Sequence, residues 1–238
     1  MSIAALQLSD TPMSSDLGNK SVMGRGLFIM ETLSHSSNGM SYAEISRATT
    51  LPKSTVHRIV GQLIDLGLVA RSRGGFILGL RVFEWGSKAG GNVPLRQAAM
   101  PQLVALSNEF GETVHLGVLD GNDVVYLEKL EPNTGVKCPT QVGDRLRAHK
   151  TALGKTMLAF KQGNGQKDSP FSIEREETFR GLCCIASPIL DRRLRPVGAI
   201  SISVPADRFT VEKFAPQVRL AAEKTARQLL GTTRQEQH

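Results

Sequence analysis

The chain has 238 residues, 40% hydrophobic and 21% charged, and its 29 Lys and Arg against 22 Asp and Glu give a formal net charge of +7. That length accommodates two domains with their own cores, and no apolar run approaches the roughly 20 residues that cross a bilayer. Cys138, Cys183 and Cys184 form no CxxC pair, which points to a reduced, cytoplasmic setting without structural zinc.

Residues 1–19 carry Asp10 and Asp16 and no basic side chain. They do not resemble a secretion signal and are expected to form a loose arm. Arg25 to about His35 is predicted as a first helix, with Leu27, Phe28, Met30 and Leu33 on its apolar face. Ser41 followed by Glu44 fits a capping box opening a second helix. Thr49-Thr50-Leu51 ends that helix, and Pro52 stands where a new helix has no amide bond to lose. In this third helix Val56, Ile59, Val60, Leu63 and Ile64 recur as one buried stripe. Thr55, Arg58 and Gln62 fall on another face, with Ser54, His57 and Gly61 beside them. Gly67 is a left-handed stop. Gly74-Gly75 then turns residues 68–71 back onto residues 76–78 as a hairpin with Arg71 and Arg73 at its tip.

This order of parts is a winged helix-turn-helix, which docks one helix in the major groove of DNA and a wing on the backbone. An amphipathic helix pair alone would be equally well explained as a packed supersecondary unit with solvated charges. The wing, the polar start of the third helix and the short breaker favour DNA. Residues 20–80 also hold seven basic side chains (Lys20, Arg25, Arg47, Lys53, Arg58, Arg71 and Arg73) against three acidic ones (Glu31, Glu44 and Asp65), a balance suited to phosphate.

Leu80 to Lys88 is predicted as a connecting helix, broken at Ala89-Gly90-Gly91-Asn92, where the domain boundary is placed. Leu95 to Phe110 follows as a helix that Pro101 kinks or nearly begins. Thr113–Leu119 and Val124–Leu130 flank Asp120-Gly121-Asn122 as a hairpin, and Val136–Val142 is a weaker strand. A helix from Thr151 to Phe160, strands at Leu182–Leu190 and Val197–Val204 joined by Asp191-Arg192-Arg193, and a helix from Val211 to about Leu230 complete the chain. The pattern indicates an α+β domain with an antiparallel sheet.

Arg25, the Pro52–Arg58 run PKSTVHR and the FILG of residues 76–79 resemble the DNA-binding domain of IclR-type transcriptional regulators. GETVHLGVLD (111–120), VVYLEK (124–129), VGDRLRAHKTALGK (142–155), GLCCIASPILD (181–191) and VGAISIS (197–203) are similar to the same family's effector-binding domain. The resemblance implies a winged helix-turn-helix at residues 20–80, a linker helix at 81–92 and a GAF-like antiparallel-sheet effector domain at 93–232. One departure is clear: where the family has a longer, helix-containing segment, this chain has only residues 161–180. Either the sheet is then partly uncovered or another surface covers it.

The expected partners are double-stranded operator DNA, a small organic-acid effector and a second copy of the chain, with dimers joining into tetramers as the family often does. No cofactor, metal or membrane is expected. The residues expected on DNA are Arg25, Ser41, Lys53, Ser54, Thr55, His57, Arg58, Gln62, Arg71 and Arg73. For the effector the resemblance implies Leu146, Ala152, Leu153, Gly154, Leu182, Cys184, Ser201 and Ser203, and it puts Glu174 at the family's acidic pocket position. Residue-level reasoning agrees in part. A strand alternates faces, so Cys184 points with Leu182 and Ala186, and Ser201 and Ser203 point with Ala199, opposite Ile200, Ile202 and Val204. Thr151 to Gly154 at a helix start offers amides to a carboxylate. The competing view makes the serines the wet face of an edge strand and Cys184 a small core residue.

Other chemistry is set aside. Gly154-Lys155-Thr156 lacks the first glycine of a phosphate loop, whose place is taken by His149. His35, His57, His115, His149 and His238 show no metal spacing, and His115 is read as structural. Cys184 would be a nucleophile only with a base beside it, and none is near in sequence. The chain is expected to be a regulator, not an enzyme. The alternative is a DNA-binding protein whose second domain only oligomerises.

Overall fold

The structure, a computed structural model, describes residues 21–88, 93–132, 137–163, 165 and 170–235. The expected N-terminal arm, the break at residues 89–92, His238 and part of the 161–180 segment lie outside the described residues. The chain divides into two compact units at Gly90/Gly91.

In the first unit, α1 (Val22–Ser34) begins three residues before the predicted start because the Ser21 hydroxyl accepts from the Gly24 amide at 2.9 Å and caps it. α2 (Tyr42–Thr49) opens on the expected capping box, with Glu44 accepting from the Ser41 amide at 2.8 Å and Ser41 accepting from the Glu44 amide at 3.3 Å. It ends at Thr50, held left-handed at φ 57°. α3 (Lys53–Asp65) follows at once and stops before Gly67, at φ 70°. Val56, Ile59, Val60 and Leu63 of α3 pack with Ile29, Leu33 and Ile45 of the other helices and with Phe76 of the wing.

The wing is β1 (Val69–Ser72) paired with β2 (Gly75–Leu78). It is stitched to the segment before α2 by a Met40–Phe76 bridge, with backbone bonds of 2.9 and 2.8 Å. Gly75 sits at φ 126°, and a Cβ there would lie 2.5 Å from the Met40 carbonyl, so only glycine allows this closure. α4 (Leu80–Lys88) then leaves the wing along the predicted span.

The second unit is a six-stranded antiparallel sheet between helices. Its elements are α5 (Val93–Phe110), β3 (Thr113–Asp120), β4 (Asp123–Leu130), β5 (Arg145–Arg147), α6 (Ala152–Lys161), β6 (Ser172–Arg175), β7 (Leu182–Leu190), β8 (Pro196–Pro205) and α7 (Val211–Gln235), in the strand order β5-β4-β3-β8-β7-β6. Pro101 lies in the interior of α5 rather than at its start. The predicted strand at Val136–Val142 is corrected: residues 137–142 form no strand, and the edge position beside β4 is taken by β5. Gly143 and Asp144 bond the Tyr126 backbone instead, so the extended-looking run approaches the sheet only at its end.

One sheet face carries Cys183, Ile185, Ile200, Ile202 and Val204 and packs under Leu103 and Leu106 of α5 and Phe214 and Val218 of α7. The other carries Ala186 and Ala199 and packs on Leu153 and Met157 of α6. This is the predicted two-residue alternation of β7 and β8. Leu127, Leu130 and Ile173 add to the first layer, so both layers are apolar apart from the row of polar groups described next.

Candidate nucleic-acid interface and ligand cavity

On α3 the buried stripe leaves a continuous polar face. Lys53, Ser54, His57, Arg58 and Gln62 are exposed and Thr55 is half-exposed. Arg71 and Arg73 are exposed on the wing, and Arg25 is half-buried on α1. Ser41 is exposed, but its hydroxyl is committed to Glu44, to which it donates at 2.7 Å. Eight of the ten expected DNA residues thus lie exposed or half-exposed on α3 and the wing. Arg25 and Ser41 lie in the α1–α2 half of the same unit.

An aromatic contact missed by the helical-period reading links those two surfaces. The His57 ring stacks on Tyr42 at 4.6 Å and 25°, and Tyr42 leans on Phe76 at 4.4 Å. The Arg71 guanidinium lies 5.3 Å over the Phe76 ring of the same group. Pattern analysis tests spacing within an element, whereas this chain of rings runs across three.

In the second unit, strand register aligns two polar rows on one sheet face. Glu174, Cys184, Ser203 and Thr113 stand opposite one another across β6, β7, β8 and β3, and Ser172, Ala186, Ser201 and His115 form the next row. The rows are covered: Glu174 is 1% exposed, Ser203 4% and Ser201 3%. The shortened 161–180 region therefore does not leave this face wet. α6 and the turn carrying Thr178 and Phe179 close it, with Thr178 donating to the Lys150 carbonyl at 3.0 Å.

A cavity remains between the rows and α6, lined by His115, Tyr126, Cys138, Thr151, Ala152, Leu153, Glu174, Thr178, Phe179, Cys184, Ser201 and Ser203. Its volume is about 20 Å³, room for roughly one water. Five expected effector residues, Ala152, Leu153, Cys184, Ser201 and Ser203, meet there. The other three do not line it. Leu146 packs in the apolar layer with Leu153 and Met157, and Leu182 stands opposite Pro205 at the end of β7. Gly154 has its amide bonded to the Thr151 hydroxyl at 3.0 Å, and a Cβ on it would lie 2.2 Å from the Ala148 carbonyl. The offer of free amides at this helix start thus narrows to Ala152 and Leu153, which have no intrahelical acceptor.

Burial governs the titratable groups that line the cavity. Burial, with a smaller push from Lys129, lowers the His115 pKa to about 3, so the ring is neutral at pH 7. Its Nε2 lies 2.8 Å from Thr140 Oγ1, which in turn faces Cys138 Sγ at 3.4 Å. Burial raises Tyr126 and Cys184 well above their ordinary values. Burial also raises Glu174, against the pull of the Thr178 and Glu177 amides on its Oε1 and of the Cys184 thiol. Cys184 Sγ lies 3.1 Å from Ser203 Oγ and has no histidine bonded to it, so the thiol stays protonated and is not activated for attack. Lys155, the residue of the apparent phosphate-loop motif, is ion-paired with Glu177. Among the described residues no group of three His, Cys, Asp or Glu side chains is placed to hold a metal ion, and no helix is long and apolar enough to cross a membrane.

A winged helix with a polar recognition face, followed by a domain whose antiparallel sheet shelters a small polar cavity, defines a two-domain DNA-binding regulator. Comparison with known proteins assigns its kind. The profile of the IclR helix-turn-helix domain matches residues 22–73, and that of the bacterial transcriptional regulator IclR C-terminal domain matches 88–169 and 166–230. The chain belongs to the IclR family of DNA-binding transcriptional regulators, which are not enzymes. It is 30% identical to the probable transcriptional regulator SauR of Cupriavidus necator over 84% of this chain and 93% of that one. It is 29% identical to the HTH-type transcriptional regulator KdgR of Escherichia coli over 78% and 84%. Among solved structures, an IclR homologue complexed with 4-hydroxybenzoate from Microbacterium hydrocarbonoxydans shares the fold at a TM-score of 0.78 and 24% identity, over 89% of this chain and all of the other.

Proposed function

We propose that this regulator is cytoplasmic, binds its operator as a dimer and answers to a small organic acid. In this reading Lys53, Ser54, Thr55, His57, Arg58 and Gln62 meet base edges in the major groove. Arg25, Arg71 and Arg73 set the register on phosphate or carry the wing into the minor groove. The observation that carries the DNA half is the division of α3, with Val56, Ile59, Val60 and Leu63 buried and its opposite side polar and open.

Dimerisation rests on a different surface. Leu80 and Phe83 of α4 are each 71% exposed and Trp85 is 54% exposed, and among the described residues none of the three belongs to the apolar cluster of the first unit. One α3 reads only a few base pairs, and two copies read paired half-sites. A second copy of α4 is the occupant that serves both needs.

The effector half rests on the buried row Glu174–Cys184–Ser203–Thr113 and on the amides of Ala152 and Leu153. A cavity with room for about one water does not hold an organic acid as it stands, so in this reading entry moves the turn bearing Thr178 and Phe179. That displacement would let the acid bias two arrangements of the regulator and change the spacing of paired α3 helices. The same small volume favours a second reading, in which the C-terminal domain only oligomerises.

A thermal-shift screen of small monocarboxylates separates the two, with 4-hydroxybenzoate included because the Microbacterium homologue is complexed with it. A ligand at about 100 times its Kd adds roughly 2.7 kcal/mol of stability. The expected result is a stabilising acid whose effect on operator binding disappears in the Ser201→Ala/Ser203→Ala double variant, with operator affinity itself unchanged. A response that survives in the double variant moves the pocket elsewhere; a panel with no stabiliser supports the oligomerisation reading.

A further inference from the structure

We infer that Tyr42 is a positioning residue for DNA recognition, holding the His57 ring in its reading orientation and tying it to the wing. The inference rests on the proposed placement of His57 in the major groove. Tyr42 is the first residue of α2 and directly follows Ser41, whose capping box with Glu44 fixes the backbone there. Two residues before it, Met40 is bridged to Phe76 of β2. Tyr42 is thus anchored on the chain at both the capping box and the wing, and its half-buried ring fills the space between Phe76 and His57.

The geometry has a specific consequence for His57. A solvent-exposed histidine at the surface of a helix samples several rotamers, and ordering it on DNA would cost entropy at the moment of binding. Stacking at 4.6 Å and 25° removes that freedom beforehand. Stacking engages only the ring face, and among the described residues neither His57 nitrogen has a hydrogen-bond partner, so both stay available to a base edge or phosphate. On the other side, Arg71 is the register partner of Phe76 and lies over its ring. The recognition helix and the wing arginine therefore lean on one aromatic group.

The test uses the full-length protein and a duplex it selects from a random-sequence pool, together with every single-base-pair variant of that duplex. His57→Ala identifies the base pair at which discrimination is lost. Tyr42→Leu and Tyr42→Met, which keep bulk without a ring, are expected to lose discrimination at that same base pair by roughly 2- to 10-fold, the equivalent of one aromatic pair. Adding His57→Ala to either should cost no more, and Tyr42→Phe should behave as wild type. Unfolding midpoints establish that each variant is folded. If neither bulky variant folds, His57→Gln, which keeps a donor and an acceptor but cannot stack, should show the same loss. Wild-type discrimination in a folded ring-free variant, or losses that add to those of His57→Ala, overturns the role of Tyr42. No effect of His57→Ala anywhere in the set overturns the placement of His57 itself, and the inference with it.

Discussion

Glu174 and His115 face the same cavity with opposite titration behaviour. Burial raises the Glu174 pKa above its ordinary 4.5, so the folded chain holds that proton to a higher pH than the unfolded chain does. This contribution to stability is full below 4.5 and is lost as pH rises through the raised value, at up to about 1.36 kcal/mol per pH unit. His115 does the reverse. With a folded pKa of about 3 against 6.5, it weakens the fold as pH falls from 6.5 toward 3. Glu174→Gln keeps an oxygen for the Glu177 and Thr178 amides but cannot ionise. Urea unfolding of wild type and variant from pH 4 to 8 should show the variant gaining on the wild type as pH rises above 4.5. Parallel curves would mean that the Glu174 carboxylate is well solvated. The alternation that separates Cys184 from Cys183 was legible in the sequence because a strand has a strict two-residue period. The His115 partner Thr140 was not, since a bond across 25 positions leaves no periodic trace.

At the level of elements, the helices and long strands were readable because each carries several apolar residues at its own period. β5 and β6 were not. They have three and four residues, too few to establish alternation, and Glu174 depends on β6 for its place in the polar row. Residues 137–142 failed in the other direction: an extended composition without a strand beside it to pair with. The wing was anticipated from Gly74-Gly75, and its contact with Met40, which a Cβ at Gly75 would block, gives that glycine pair its reason. Because the wing is held by this bridge, Arg73 at its tip occupies a defined position. Arg73→Ala should reduce the slope of log affinity against log salt by about one unit, the signature of one lost phosphate contact. An unchanged slope measured over 50–200 mM salt would place this guanidinium in solvent.

At the scale of the whole molecule, two compact units were legible from the Ala89–Asn92 composition, while the exposed apolar side of α4, proposed above to pair two copies, was not. A hydrophobic residue on a short helix looks the same in sequence whether it is packed or bare, and only the structure shows Leu80 and Phe83 bare. Phe83→Glu should yield a monomer in analytical ultracentrifugation and weaken binding to a two-half-site duplex at least tenfold, while binding to a single half-site is kept. A dimer that survives the substitution would put the interface in the C-terminal unit.

The account depends above all on the polar side of α3 reading DNA. The most direct measurement is the affinity of wild type and Arg58→Ala for the selected duplex and for its base-pair variants at one fixed salt concentration. The expected outcome is a loss of about 1–3 kcal/mol on the selected duplex, with preference relaxed at one base pair and little change on random DNA. Equal affinities and an unaltered preference profile would contradict it.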